Sequence, residues 1–150
     1  MTKLISTLLV TFAISISTGC ATSPEKLTTP SGKPEITISG TSKKSIIDTI
    51  INDKLTAGFK ILSTNEYSVV IARDIDDFAA KAAYGSNFNR IPEARITYNL
   101  VDVPGSVKVF VRSEMVTNPR SPYENTADFT STWGSHAQAE LLRIKQMLEK

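Results

Sequence analysis

One thiol and one imidazole, Cys20 and His136, stand alone among 150 residues. A lone Cys can form no internal disulfide and cannot build a cysteine-rich metal site. A hydrolytic triad or a zinc site would have to be assembled around His136. Asp128, Ser131 and Ser135 lie near it in sequence, yet no G-x-S-x-G motif surrounds any serine. His136 therefore reads as a surface residue in the first turn of the last helix, with pH sensing at an interface as the alternative use. Asp74, Asp76 and Asp77 suggest a calcium loop, but an EF-hand starting at Asp74 needs Gly at the sixth place and Glu at the twelfth. Ala79 and Gly85 stand there. These acids are better used at the start of a short helix over 76–83, where the helix dipole favours negative charge. Glu66, Glu93, Asp102, Glu114 and Glu124 fall at strand ends or in loops and read as solvated or turn residues. Gly85 and Gly105 are isolated, so no phosphate cradle is present. The residues name no catalytic group, no metal site and no cofactor.

Composition narrows the choice further. Lys and Arg number 17 against 15 Asp and Glu, for a net charge of +2 with no basic run, which makes nucleic acid a poor partner. An apolar fraction of 41% in a chain of this length supports a single globular domain.

Cys20 takes its meaning from what precedes it. Lys3 gives a short positive start, and Leu4 to Ser17 is uncharged and mostly apolar. That run is shorter than the ~20 residues needed to cross a bilayer, so it reads as a secretory signal. The sequence Ser17-Thr18-Gly19-Cys20 resembles the lipobox of bacterial lipoproteins, with Ser17 where that motif usually has Leu. The resemblance implies cleavage before Cys20, diacylglycerol on its sulfur and an acylated amino group. Two or more acyl chains anchor a protein firmly where one binds marginally. Ala21, in place of the Asp that tends to retain such proteins, implies sorting to the outer membrane on its periplasmic side. The expected organisation is a signal peptide over 1–19, a lipidated Cys and flexible tether over 20–34, and a single α+β domain over 35–150. The tether, with three Pro, one Gly and five Ser or Thr after Cys20, can bury too little to fold and could reach roughly 45 Å when stretched.

The domain reads as β-α-β-β-(α)-β-β-α. Ile36 and Ile38 alternate in a first strand. Thr41 or Ser42 can cap a helix whose stripe is Ile46, Ile47, Ile50, Ile51 and Leu55, with Gly58 placed for a left-handed end. Strands over 59–63 and 67–72 flank a short loop. A stronger hairpin joins Arg95–Asp102 to Val107–Val116 through Pro104-Gly105, a type II turn signal. Ser135 to Gln138 matches a capping box, and Ala137, Leu141, Ile144 and Leu148 continue at helical spacing. The economical fold is an antiparallel sheet of about five strands with the two longer helices on one face. That layout is similar, at topology level, to the helix-grip domains of the lipoprotein subunit in outer-membrane barrel-assembly machinery.

Two loops carry interface-like residues. One holds Tyr84, Phe88 and Arg90; the other, Asn118–Gly134, is long and irregular and holds Tyr123, Phe129 and Trp133. These six form a candidate binding surface, against the alternative that the aromatics of the second loop plug an open end of the core. The function expected is a non-enzymatic, lipid-anchored envelope protein that binds or helps assemble another envelope protein. A carrier of a lipid-like ligand is the alternative, followed by an anchored hydrolase. Replacing Cys20 by Ala is expected to leave the precursor uncut and unlabelled by radioactive palmitate, which gel electrophoresis of labelled cells will read directly.

Overall fold

A computed structural model describes residues 27–149; the expected signal segment and Cys20 lie outside the described residues. The elements follow in the order β1 (Glu35–Ser39), α1 (Lys43–Thr56), β2 (Lys60–Asn65), β3 (Ser68–Asp74), α2 (Phe78–Tyr84), β4 (Glu93–Val103), β5 (Ser106–Thr117), β6 (Asn125–Asp128) and α3 (Gly134–Leu148). Among the described residues all the strand pairs are antiparallel, in one six-stranded sheet of order β1-β5-β4-β3-β2, with β6 joined to β5 beyond the end of β1. The fold is α+β, as the alternation of patterns indicates.

The central hairpin forms where Pro104-Gly105 predicts it. Gly105 adopts φ +72°, which a side chain would resist, and β4 and β5 stay in register from Glu93↔Val116 to Val103↔Ser106. Alternation then sends Ile96, Tyr98 and Leu100 of β4 and Val107, Val109 and Val111 of β5 to one face. Ile36, Ile38, Val69 and Ile71 join them there, against Ile46 and Ile50 of α1 and Leu141 and Ile144 of α3. Both long helices therefore cover one face of the sheet.

Local signals hold for α1. Ser42 Oγ accepts a hydrogen bond from the Ser45 N–H at 3.2 Å, and Gly58 leaves the helix at φ +80°. One expected stripe residue is displaced: Leu55 faces solvent and Lys54 is buried in its place. The last turn of α1 runs past a carboxylate on α3, which gives the ammonium a partner that Leu could not use.

Three expectations need correction. The sheet has six strands, because Asn125–Asp128 in the supposedly irregular loop pairs with Glu114–Thr117. The 64–66 loop closes later than expected, at Glu66-Tyr67, where Asn65 Oδ1 accepts from the Tyr67 and Ser68 N–H groups. The capping box does not form: α3 begins at Gly134 after Trp133, with no side-chain cap. Gln138 is drawn away to the outer edge of β1. There its Oε1 accepts from the Glu35 N–H at 2.9 Å, and its Nε2 donates to the Glu35 carbonyl at 3.0 Å.

Further along α3, Lys145 Nζ donates to the Thr37 carbonyl and Glu149 Oε1 accepts from the Ser39 N–H. The helix thus lends side chains to the backbone groups that an edge strand would otherwise leave open to another chain. Upstream of β1, Val111 N–H donates to the Pro34 carbonyl at 3.0 Å, and the Leu27 side chain lies against Gly134 at the start of α3. Gln138→Ala is expected to destabilise the domain by about 1–2 kcal/mol through the two lost bonds. Hydrogen exchange should show the Glu35 amide losing protection while the β4–β5 amides keep theirs.

Candidate binding surface and cavity

The two aromatic loops meet through a polar cluster as well as through ring contacts. Asn118, buried and at φ 51°, bonds through Oδ1 with the Ser86 hydroxyl and through Nδ2 to the Tyr123 carbonyl at 3.2 Å. Ser86 Oγ accepts in turn from the Phe88 and Asn89 N–H groups at 3.1 and 3.0 Å. One amide side chain therefore ties down the backbones that carry Phe88 and Tyr123. Their rings stack at 5.2 Å between centroids with 12° between planes, yet they stay 78% and 65% exposed. Arg90 is exposed beside them in sequence.

The other three candidates behave differently. Tyr84, Phe129 and Trp133 are half-buried and pack on one another, with centroids 5.4 Å apart for Tyr84–Phe129 and 4.9 Å for Phe129–Trp133. Phe129 N–H donates to the Ser113 carbonyl at 2.8 Å, and Thr117 Oγ1 donates to the Tyr84 carbonyl at 2.8 Å, so β5 holds this trio in place. The six residues divide into a packed trio, an exposed stacked pair and the exposed Arg90.

A second cluster that sequence reading did not assemble braces the same loops. Glu93, read as a solvated strand end, is 0% exposed; its carboxylate pairs with Arg120, and with Arg95 at 3.3 Å. Arg95 makes a two-pronged contact to Glu124 at 2.7 and 3.0 Å, and Glu124 also accepts the Arg120 backbone N–H at 2.6 Å. Bidentate guanidinium–carboxylate geometry of this kind fixes orientation as well as charge. Glu93, Arg95, Arg120 and Glu124 are scattered over 32 positions of the chain, and only strand pairing and the left-handed turn at Arg120 (φ 60°) bring them together. The Arg95 guanidinium and the Arg120 N–H hold the Glu124 carboxyl down at about 2.

On the helix-covered face, the sheet and the helices do not close completely. A cavity of about 770 Å³ opens between the end of α1, the start of α3 and β3–β5. Ala94, Ile96 and Val111 line it from the sheet, and Trp133, His136 and Ala137 from α3 and the turn before it. Charged groups occupy one wall. Lys54, 4% exposed, pairs with Glu140, whose Oε1 also accepts from the Tyr98 hydroxyl at 2.8 Å. Asp53 lies 3.6 Å from Lys54 and is bound by Arg143 at 2.6 Å. Burial, with the Glu140 carboxylate beside it, pushes the Tyr98 phenol well above its usual range, so it remains a hydrogen-bond donor. Arg73 also lines the cavity, its guanidinium 4.9 Å from the Phe59 ring centroid. His136 is the exposed helix residue expected, and it faces this opening.

Asp77, as expected of that acidic run, caps α2 by accepting from the Ala80 N–H at 3.0 Å, although the helix starts two residues later than the sequence suggests. No helix among the described residues is long and apolar enough to cross a membrane. No family model, curated protein or solved structure matches the chain.

The Glu124 pairing carries a pH signature. Its folded carboxyl lies near 2 against an ordinary 4.5, so its stabilisation is complete above about pH 4.5 and is lost as pH falls toward 2. Solvent screens the pair, which limits Glu124→Gln to a loss of about 1 kcal/mol at neutral pH. Urea unfolding between pH 2 and 7 should show the gap between variant and parent narrowing on the acid side.

Proposed function

We propose that the chain is a non-enzymatic protein of the bacterial envelope. In this reading Cys20 carries the lipid, the outer membrane is its site, the periplasm is the side it faces, and a second envelope protein is its partner. The domain then acts as a binding or assembly module, its two helices gripping an antiparallel sheet in the manner of helix-grip domains. Nucleic acid has no part in it.

The observation that carries this reading is the exposed Phe88–Tyr123 stack on a braced backbone. Two large rings left in water form a natural centre for an interface. Because Asn118 and the Arg95–Glu124 contact already hold the loops, little conformational freedom is lost on docking. Arg90 supplies a charge at the rim. Tyr84, Phe129 and Trp133 are taken up in packing on one another.

The lipid anchor would supply the rest. Leu27 lies against Gly134, and seven residues from Cys20 to Leu27 span at most about 25 Å. A leash of that length, shorter than the stretch expected for the whole of 21–34, keeps the domain within a thin layer at the bilayer. Confinement raises its effective concentration for neighbours in the same membrane, so a modest interface suffices.

Crosslinking in cells followed by recovery of the full chain tests the reading. Phe88→Ala combined with Tyr123→Ala should cut the crosslinked partner about tenfold, with Arg90→Ala producing a smaller loss and with unchanged thermal unfolding. An unaltered set of crosslinks in the double variant would refute it.

A further inference from the structure

The cavity under α3 is left open by small side chains. Toward β1, Ile46, Ile50, Leu100, Val107 and Val109 belong to one buried core. At the other end Ala94, Ala137 and Ala139 stand where larger groups would close it. A volume of about 770 Å³ lies within the range of small-molecule sites, roughly 300–1,000 Å³.

Its charges are unequally satisfied. Asp53 and Glu140 are both taken up, by Arg143, Lys54 and the Tyr98 hydroxyl. Among the described residues Arg73 has no carboxylate partner, only the Phe59 ring beside its guanidinium, and His136 has neither carboxylate nor ring. The lining therefore combines an apolar floor, two neutralised acids and a surplus of positive or protonatable groups.

We propose that this cavity binds a single-chain amphiphile with an anionic head. The acyl chain lies along Ala94, Ile96, Val111 and Ala137, and the head is held by Arg73 and His136. Neither a bare anion nor a neutral chain matches both halves of the lining. The Lys54–Glu140–Tyr98 wall stays intact and keeps α1 and α3 apart around the ligand. This site is separate from the Phe88–Tyr123 surface and does not depend on what becomes of Cys20.

Trp133 lines the cavity and is the sole tryptophan of the chain, which makes it a built-in reporter. The full chain, purified from whichever cell fraction holds it, is titrated with 8-bromooctanoate, whose bromine quenches indole fluorescence on contact. Saturable quenching is expected. Ala137→Leu and, independently, Ala94→Val should abolish it by filling the floor from two different elements, each variant being checked for native circular dichroism. Arg73→Gln with His136→Gln should weaken 8-bromooctanoate about tenfold and leave 8-bromooctanol unchanged. Inorganic phosphate alone should not displace the probe. Quenching that never saturates, or that persists in both folded filling variants, overturns the cavity as a site. Equal binding of the acid by the Arg73/His136 variant, or displacement by phosphate, overturns the anionic amphiphile as its occupant.

Discussion

The Glu140 carboxylate is the joint on which this domain turns. It sits on α3, meets the Lys54 ammonium at the end of α1, and accepts a hydrogen bond from Tyr98 in the middle of β4. Three elements distant in sequence are fastened at one atom on the wall of the cavity. Buried charge is costly unless paired and hydrogen-bonded, and here both conditions are met. The satisfied ion pair links α1 to α3 beside the opening that Ala94, Ala137 and Ala139 leave.

A comparable device braces the aromatic loops. Glu93 lies buried and paired with Arg95 and with the exposed Arg120, and Glu124 closes the set by gripping Arg95 from the loop. Strand alternation puts Glu93 and Arg95 on the face of β4 opposite Ile96 and Tyr98. Two clusters of charges are thus each built around a buried group, Lys54 under the helices and Glu93 with its partners from the loop. The exposed Phe88–Tyr123 stack owes its fixed geometry to the second cluster and to Asn118, because nothing apolar among the described residues covers the two rings.

The parts of the fold legible in sequence are those governed by neighbours along the chain. Pro104-Gly105 makes its turn, Ser42 caps its helix, Gly58 ends it, and Ile46, Ile47 and Ile50 face the core. Where a distant group competes, local rules give way. Gln138 leaves a capping box for the β1 edge, Lys54 displaces Leu55 from the interior, and Glu93 exchanges solvent for two guanidinium groups. β6 carries almost no apolar signal of its own, since its pairing with β5 is the whole reason it is extended. The candidate surface divides along the same line. Loop composition pointed to five aromatics and Arg90, but only three-dimensional packing separates the exposed pair of rings from the half-buried trio.

From the amino-acid order alone came the α+β class, the antiparallel hairpins and the two amphipathic helices, because periodicity and turn chemistry act over a few residues. Tertiary structure alone decided which charges are buried, which aromatic rings remain in water, and that a cavity stays open beside Trp133. Those outcomes depend on groups tens of residues apart meeting at one point, and desolvation, which rewards or penalises them, exists only once the chain has closed around them.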